Sequence, residues 1–359
     1  MANTAGLGEP HAAGAAAARD GQVQVQQGPV AFKDAVDADA VPARPPTAHG
    51  DVVSALPVRL YHGQPMRRYQ GFWVFDSWAR GVVAMHRGGG LVPRAGDVVL
   101  ASLPKSGTTW LCALAFAAMA RRACPPASPD HPLRRLNPHD CVPLLETLFT
   151  VGRDTLLDQL PSPRIMSTHM PLSLLPATVA GGNSSTKIIY ICRDQKDRLI
   201  STWHFRRRND LPDLSLQEAY DAVCDGTCFA GPVWDHILEY WAASSADPSR
   251  VLFLRYEQVL RDPASALRRL ARFVGRPFSE AEEEGGVVGE IVGLCSLDSL
   301  RGQRGNAGGA MQATLMEFSH ESLFRKGVAG DWRNHLSAEM GERLDSIMRE
   351  KLAGSGLTL

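Results

Sequence analysis

The sequence predicts an α/β fold: a single domain with a central, mostly parallel sheet flanked by helices. Three observations predict it. Four short apolar runs rich in β-branched residues, at 98–102, 164–168, 187–192 and 251–254, read as strands buried on both faces. Helix-length segments at 111–122, 198–208, 216–222 and 233–241 lie between most of them. Each run also delivers a polar residue at its end: Lys105, His169, Arg193, and Arg255 with Tyr256. In parallel sheets ligands bind beyond the carboxyl ends of the strands, so these four positions converge on one predicted site.

Taken in chain order, residues 1–55 read as a disordered tail. They are rich in Ala, Gly, Gln and Pro and hold one aromatic, Phe32, so there is little to bury. The packed domain is expected over residues 56–359. Its first aromatic cluster is Tyr69-Gln70-Gly71-Phe72-Trp73. Tyr69, Phe72, Trp73, Phe149 and Met170 are candidates for an apolar ligand pocket, and equally for ordinary core.

The strand at 98–102 stops at Pro104, and the turn Lys105-Ser106-Gly107-Thr108-Thr109 leads into an Ala-rich helix. This P-loop-like order of strand, tight polar turn and helix offers free N–H groups to an anionic oxygen. The helix N-terminus adds a partial positive charge and Lys105 a full one. It is not a Walker A loop, because Lys105 precedes Gly107 and no Gly stands four residues upstream of it. The plain alternative is a surface connection capped by Thr108 or Thr109.

His169, in Ser167-Thr168-His169, titrates near neutrality and can take a proton from a hydroxyl. Arg193 offers a planar fork to a phosphate, and Ser201 lies about one turn into the following helix. A loop histidine and a helix-surface serine are the plain readings of His169 and Ser201, and both stay open. Near the C-terminus, Arg325 and Lys326 precede Gly327 and form a possible anion clamp. The Gly-rich stretch 301–310 before it reads as a mobile lid, and an amphipathic helix is expected over 338–352. Arg206-Arg207-Arg208 and Glu282-Glu283-Glu284 read as solvated faces.

Composition narrows the partners. Lys plus Arg and Asp plus Glu balance at 38 each, so no global field recruits nucleic acid or membrane. The seven cysteines are scattered, which points to a reducing compartment. The longest apolar stretch, 111–120, is too short to span a bilayer, and no secretory h-region opens the chain. No His-x-x-x-His or carboxylate cluster suggests a metal. A cytoplasmic protein without a metal is expected.

The motifs together resemble the soluble sulfotransferases. Residues 104–110, Pro-Lys-Ser-Gly-Thr-Thr-Trp, are similar to that family's 5′-phosphosulfate loop. The segment from Tyr190 through Arg193 to Ser201 and Phe205 resembles its 3′-phosphate motif. Arg325-Lys326-Gly327 with Gly330-Asp331-Trp332 resembles its C-terminal nucleotide motif. Asn137-Pro138-His139 and Thr202-Trp203-His204-Phe205 resemble the plant branch.

The resemblance implies the co-substrate 3′-phosphoadenosine 5′-phosphosulfate and a small hydroxylated acceptor: a flavonoid, a hormone or another phenol or alcohol. It implies that Lys105 contacts the bridging oxygen, while Ser106, Gly107, Thr108 and Thr109 hold the 5′-phosphate. Trp110 would stack on adenine and Tyr256 contact its edge. Arg193, Ser201, Arg325, Lys326 and Gly327 would bind the 3′-phosphate, and His169 would be the catalytic base.

Three departures accompany it. Ser167 stands where many animal members carry Lys. Leu297 stands where Phe usually packs near the adenine. The animal dimer motif is poorly matched over 333–342, so a monomer or weak homodimer is expected. The rival readings are an inactive nucleotide-binding module and an ATP-dependent kinase.

Overall fold

The chain is described by a computed structural model over residues 28–37, 42–43, 49–87, 91–182, 184–303, 306, 310–313 and 316–359. An antiparallel sheet comes first: β1 (Val58–Tyr61), β2 (Gln64–Tyr69) and β3 (Phe72–Phe75), in the order β1-β2-β3. Its second turn, Gln70-Gly71, has positive φ at both residues, the backbone twist that a two-residue hairpin needs. Helix α1 (Asp76–His86) follows and buries Trp78, Val82, Val83 and Met85.

The central sheet contains β4 (Val98–Ala101), β5 (Ile165–Thr168), β6 (Lys187–Cys192) and β7 (Val251–Arg255), all parallel, in the order β5-β4-β6-β7. Successive side chains point to opposite faces. Val99, Ala101, Ile188, Tyr190 and Phe253 therefore enter one core, and Val98, Leu100, Ile189, Ile191 and Leu254 enter the other. Both faces are covered, which is why these strands carry apolar residues without alternation.

Helix α2 (Thr108–Ala120) covers the second face and is buried along almost its whole length. Helices α3 (Gln195–Asn209), α4 (Leu216–Cys224) and α5 (Val233–Ala246) contribute to the first. Asp194 starts α3 by accepting from the N–H groups of Lys196 and Asp197. Ser215 and Glu218 form a capping box at α4.

Three expectations need correction. Packed structure begins upstream of residue 56: Ala31 is buried, Gly28 lies against the backbone of Ala120, and Asp34 pairs with Arg135. Residues 1–27 lie outside the described residues. Arg206 is not solvated but buried, where it pairs with Asp210 at 2.7 Å. Glu282 is held by the buried Arg121 at 2.8 Å rather than facing water alone. Half of the stretch read as a lid, 301–310, lies outside the described residues.

Candidate active site

The parallel register brings the carboxyl ends of all four strands to one edge. Ala101 lies opposite Thr168 and Tyr190, and Cys192 lies opposite Arg255. The residues that follow, Ser102, His169, Arg193 and Tyr256, are thereby neighbours across the sheet. Above them opens a cavity of about 270 Å³. Of the residues expected at the site, Lys105, Gly107, Thr108, Thr109, Trp110, His169, Arg193, Ser201, Tyr256, Arg325, Lys326 and Gly327 line it. Ser106 does not: it is buried beneath the loop, and its Oγ has no hydrogen-bond partner.

The loop is shaped by two residues with positive φ, Lys105 at 67° and Gly107 at 107°. Gly107 is required twice over. Its φ disfavours a side chain, and a Cβ there would meet Tyr256 Cδ2 at 2.8 Å. Thr108 is fixed from below by Ser102, with 2.7 Å between the hydroxyls. Thr109 Oγ1 lies 3.0 Å from His139 Nε2.

Lys105 Nζ rests 4.4 Å from the centroid of the Phe205 ring. Removal from bulk water, then the nearby cations Arg193 and Arg325, push its pKa down to about 7. Arg193 spans the site by donating to the carbonyls of Lys105 at 3.3 Å and Val328 at 3.0 Å. Its guanidinium lies 4.5 Å over the Tyr256 ring, and its buried Nε is unpartnered. Trp110 meets Tyr256 edge-on, with ring centroids 5.8 Å apart.

The C-terminal loop closes the cationic side. Asp331 pairs with Arg325 and with Lys326 at 2.7 Å. Burial raises the Asp331 pKa, but hydrogen bonds from Lys326, Arg325 and Asn334 outweigh it and hold the carboxyl well below the ordinary range. The loop is pinned to α3 by Asp197, which accepts from the N–H of Gly330 at 2.6 Å and of Trp332 at 2.9 Å. Gly327 has a φ of 68°, and a Cβ there would meet Leu297 Cδ2 at 2.6 Å. Leu297 thus lines the cavity directly against the clamp.

His169 Nδ1 lies 2.9 Å from the carbonyl oxygen of Ser102. A carbonyl only accepts, so Nδ1 carries the proton and Nε2 is the basic nitrogen. Loss of hydration, opposed by the Ser102 hydrogen bond and aided by Lys105, lowers the pKa of His169 to about 4. Its main-chain N–H donates to the carboxylate of Glu146. Its carbonyl accepts from His236 Nε2 at 3.0 Å, and His236 Nδ1 accepts from Tyr190 at 3.1 Å.

Asp197, Asp331, Glu146, His139 and His236 are supporting residues that sequence reasoning left without a role. Ser167, singled out in the sequence, turns away from the cavity and donates to the Pro143 carbonyl at 3.1 Å.

Of the two readings open for the aromatic candidates, pocket wall or ordinary core, the second holds. Tyr69, Phe72, Phe149 and Met170 are buried core, and Trp73 packs against that core. None of the five lines the cavity, whose aromatic wall comes instead from Tyr61, Phe75, Trp78, Phe205, Phe229 and Phe318. Among the described residues there is no cluster of His, Cys, Asp or Glu that could hold a metal, and no helix long and apolar enough to cross a membrane.

Comparison with known proteins places this geometry. The chain is 40% identical over 315 residues to cytosolic sulfotransferase 1 of Arabidopsis thaliana, covering 85% of this chain and 93% of that one. A solved Arabidopsis thaliana structure, a candidate steroid sulphotransferase, superposes with a TM-score of 0.68 at 35% identity, covering 86% of this chain and 94% of that one. A retinol dehydratase solved with androsterone and inactive cofactor PAP shares the fold, with a TM-score of 0.66 at 19% identity over 87% of this chain and 96% of that one. The sulfotransferase-domain family model matches residues 95–356, and the chain belongs to the sulfotransferase family, an enzyme built on an α/β sheet.

Proposed function

We propose that the protein transfers a sulfonate group from 3′-phosphoadenosine 5′-phosphosulfate to a hydroxyl of a small metabolite, with His169 as general base. One observation carries this reading. The His169 ring is fixed by Ser102 in the tautomer that leaves Nε2 basic, on the wall of a cavity that also holds Lys105 and the N-terminus of α2.

The residues suit such a donor. Lys105, Arg193, Arg325 and Lys326 supply four cations to one cavity. Arg193 lines the cavity and its Nε is a buried polar atom without a partner, the condition that a bound phosphate oxygen would relieve. Gly107 and Gly327 let Tyr256 and Leu297 pack directly against the two loops, where a Cβ would clash.

In this reading Lys105, Ser106, Gly107, Thr108 and Thr109 hold the 5′-phosphate. Arg193, Ser201, Arg325, Lys326 and Gly327 hold the 3′-phosphate. Trp110, Tyr256 and Leu297 face the adenine. The donor supplies the sulfonate and a phosphate leaving group. His169 Nε2 accepts the proton of the attacking hydroxyl, and Lys105 stabilises charge at the bridging oxygen. Orientation and electrostatics then do most of the work, as in phosphoryl transfer. A cytosolic setting is proposed with it, in keeping with the name of the Arabidopsis relative.

Thermal unfolding with 3′,5′-adenosine bisphosphate, against ATP plus Mg²⁺, tests the donor. A ligand at a hundred times its Kd adds about 2.7 kcal/mol. Stabilisation by the bisphosphate alone, lost in Lys105→Ala or Arg193→Ala, is the expected result. Stabilisation by ATP alone would favour a kinase instead.

A further inference from the structure

We infer that the acceptor carries an anionic group, a carboxylate, and that Arg198 binds it. The inference rests on the reading of this cavity as the acceptor site. Arg198 projects from α3, is 2% exposed, and lines the cavity. Its Nε donates to Gln195 Oε1 at 2.6 Å, and Gln195 donates in turn to the Arg193 carbonyl at 2.6 Å, so the guanidinium is held in place. Its Nη2 is buried and has no hydrogen-bond partner among the nitrogen and oxygen atoms of the described residues. The Cys228 thiol beside it is a weak acceptor and is kept neutral by burial.

Three other buried guanidiniums are compensated by carboxylates, and Arg193, the fourth, donates to the carbonyls of Lys105 and Val328. Arg164 pairs with Asp97 at 2.6 Å, Arg121 with Glu282 at 2.8 Å and Arg206 with Asp210 at 2.7 Å. Arg198 makes no ion pair with any described residue. A guanidinium does not shed its proton, and an unpaired buried charge is costly. A carboxylate entering through the cavity satisfies it, and the planar fork matches two carboxylate oxygens.

The position also fits. Arg193 donates to the carbonyls of Lys105 and Val328, whereas Arg198 lies beside Cys228, which lines the cavity together with Tyr61 and Phe229. Arg198 is therefore separate from the phosphate-facing cluster and close to the aromatic wall. His169 and Arg198 line the same cavity, so one small molecule can reach both the base and the guanidinium. Tyr61, Phe75, Trp78 and Phe229 supply apolar walls. The substrate class is a hydroxy acid with an apolar or aromatic body.

The test compares acids with their methyl esters: 4-hydroxyphenylacetate and 12-hydroxydodecanoate, each against its ester, at saturating donor. We expect kcat/KM to favour the acids by at least about tenfold. Arg198→Met should bring the ratio near one, and Arg198→Lys should keep part of it. An unchanged ratio in Arg198→Met, or a wild type that prefers the esters, overturns the assignment. Thermal shift with 3′,5′-adenosine bisphosphate bound separates the two readings. Stabilisation by the acids that depends on Arg198, without any sulfonate transfer, keeps the anion site and sinks the transferase reading. Equal transfer to acids and esters does the reverse. An unaltered response of Arg198→Met to the bisphosphate shows that the variant folds; should it not fold, Arg198→Lys and Gln195→Met carry the same comparison.

Discussion

His169 Nδ1 donates to the main-chain carbonyl of Ser102, joining the residue after β5 to the residue after β4 at 2.9 Å. Neighbouring parallel strands place these residues side by side, so the sheet itself orients the imidazole. Glu146 and His236 then fix its backbone through the N–H and the carbonyl. Orientation is thus built into the scaffold and leaves Nε2 for chemistry.

His169→Ala should lower turnover by at least about a hundredfold while the affinity for 3′,5′-adenosine bisphosphate changes little. Paired steady-state and calorimetric measurements check both halves. Near-normal turnover would remove His169 from the role of general base.

Lys105 should couple donor binding to pH. Its pKa is about 7 because it is cut off from bulk water and flanked by Arg193 and Arg325. A bound polyanion favours the charged form and raises that pKa. Between the two values binding takes up a proton, so affinity falls as pH rises above 7, by up to about tenfold per unit. Calorimetry at pH 7.5 in buffers of different ionisation heat should register uptake of up to about one proton. Lys105→Met should abolish it. No uptake in the wild type would mean that Lys105 is already charged before the donor arrives.

Asp197→Asn should act on the donor site from outside it. The carboxylate receives two N–H groups, from Gly330 and Trp332, and so holds the loop that carries Arg325 and Lys326 against α3. Loss of its charge, with a side chain of the same shape, should weaken bisphosphate binding by about tenfold or more. The donor KM should rise accordingly, with kcat at saturation within a few-fold of wild type. A variant whose kcat falls while KM holds would contradict a positioning role.

The central sheet was legible because strands covered on both faces carry uninterrupted apolar runs; β4 and β6 fall where Val98 and Lys187 first mark them. The antiparallel sheet was not. In β2 only Met66 and Tyr69 are buried, which breaks the two-residue period. Helix α3 was expected over 198–208, but the burial of its polar residues was not. Its buried positions include Lys196, Asp197, Arg198, Ser201 and Arg206, and a run of charged residues such as Arg206-Arg207-Arg208 reads as solvated unless its partners are known. The cavity-lining residues at the strand ends were legible because they cluster in short motifs. The aromatic wall was not, since Phe75 and Phe229 differ from core aromatics only by which side of a cavity they occupy.

Stability should fall as the solution is acidified, through histidines that stay neutral in the fold. Loss of hydration is the main cause for each: His131 and His169 lie at about 4, and His139 and His236 at about 3. In the unfolded chain all four titrate near 6.5. Between those values the unfolded state binds more protons, so stability is fully present above about 6.5 and is lost as pH drops toward 4. Glu146 works in the opposite direction. Burial, against hydrogen bonds from His169 and Thr168, raises it to about 7. Between its ordinary value near 4.5 and 7 the folded state holds the extra proton, and stability declines as pH rises. Four groups outweigh one, so calorimetric Tm should decrease steadily from pH 6.5 to pH 4.5. Glu146→Gln isolates the opposing group. Relative to wild type, its stability should improve from pH 5 to pH 8 by at least about 1 kcal/mol. A difference that does not vary with pH would mean that Glu146 ionises in the fold as it does in water.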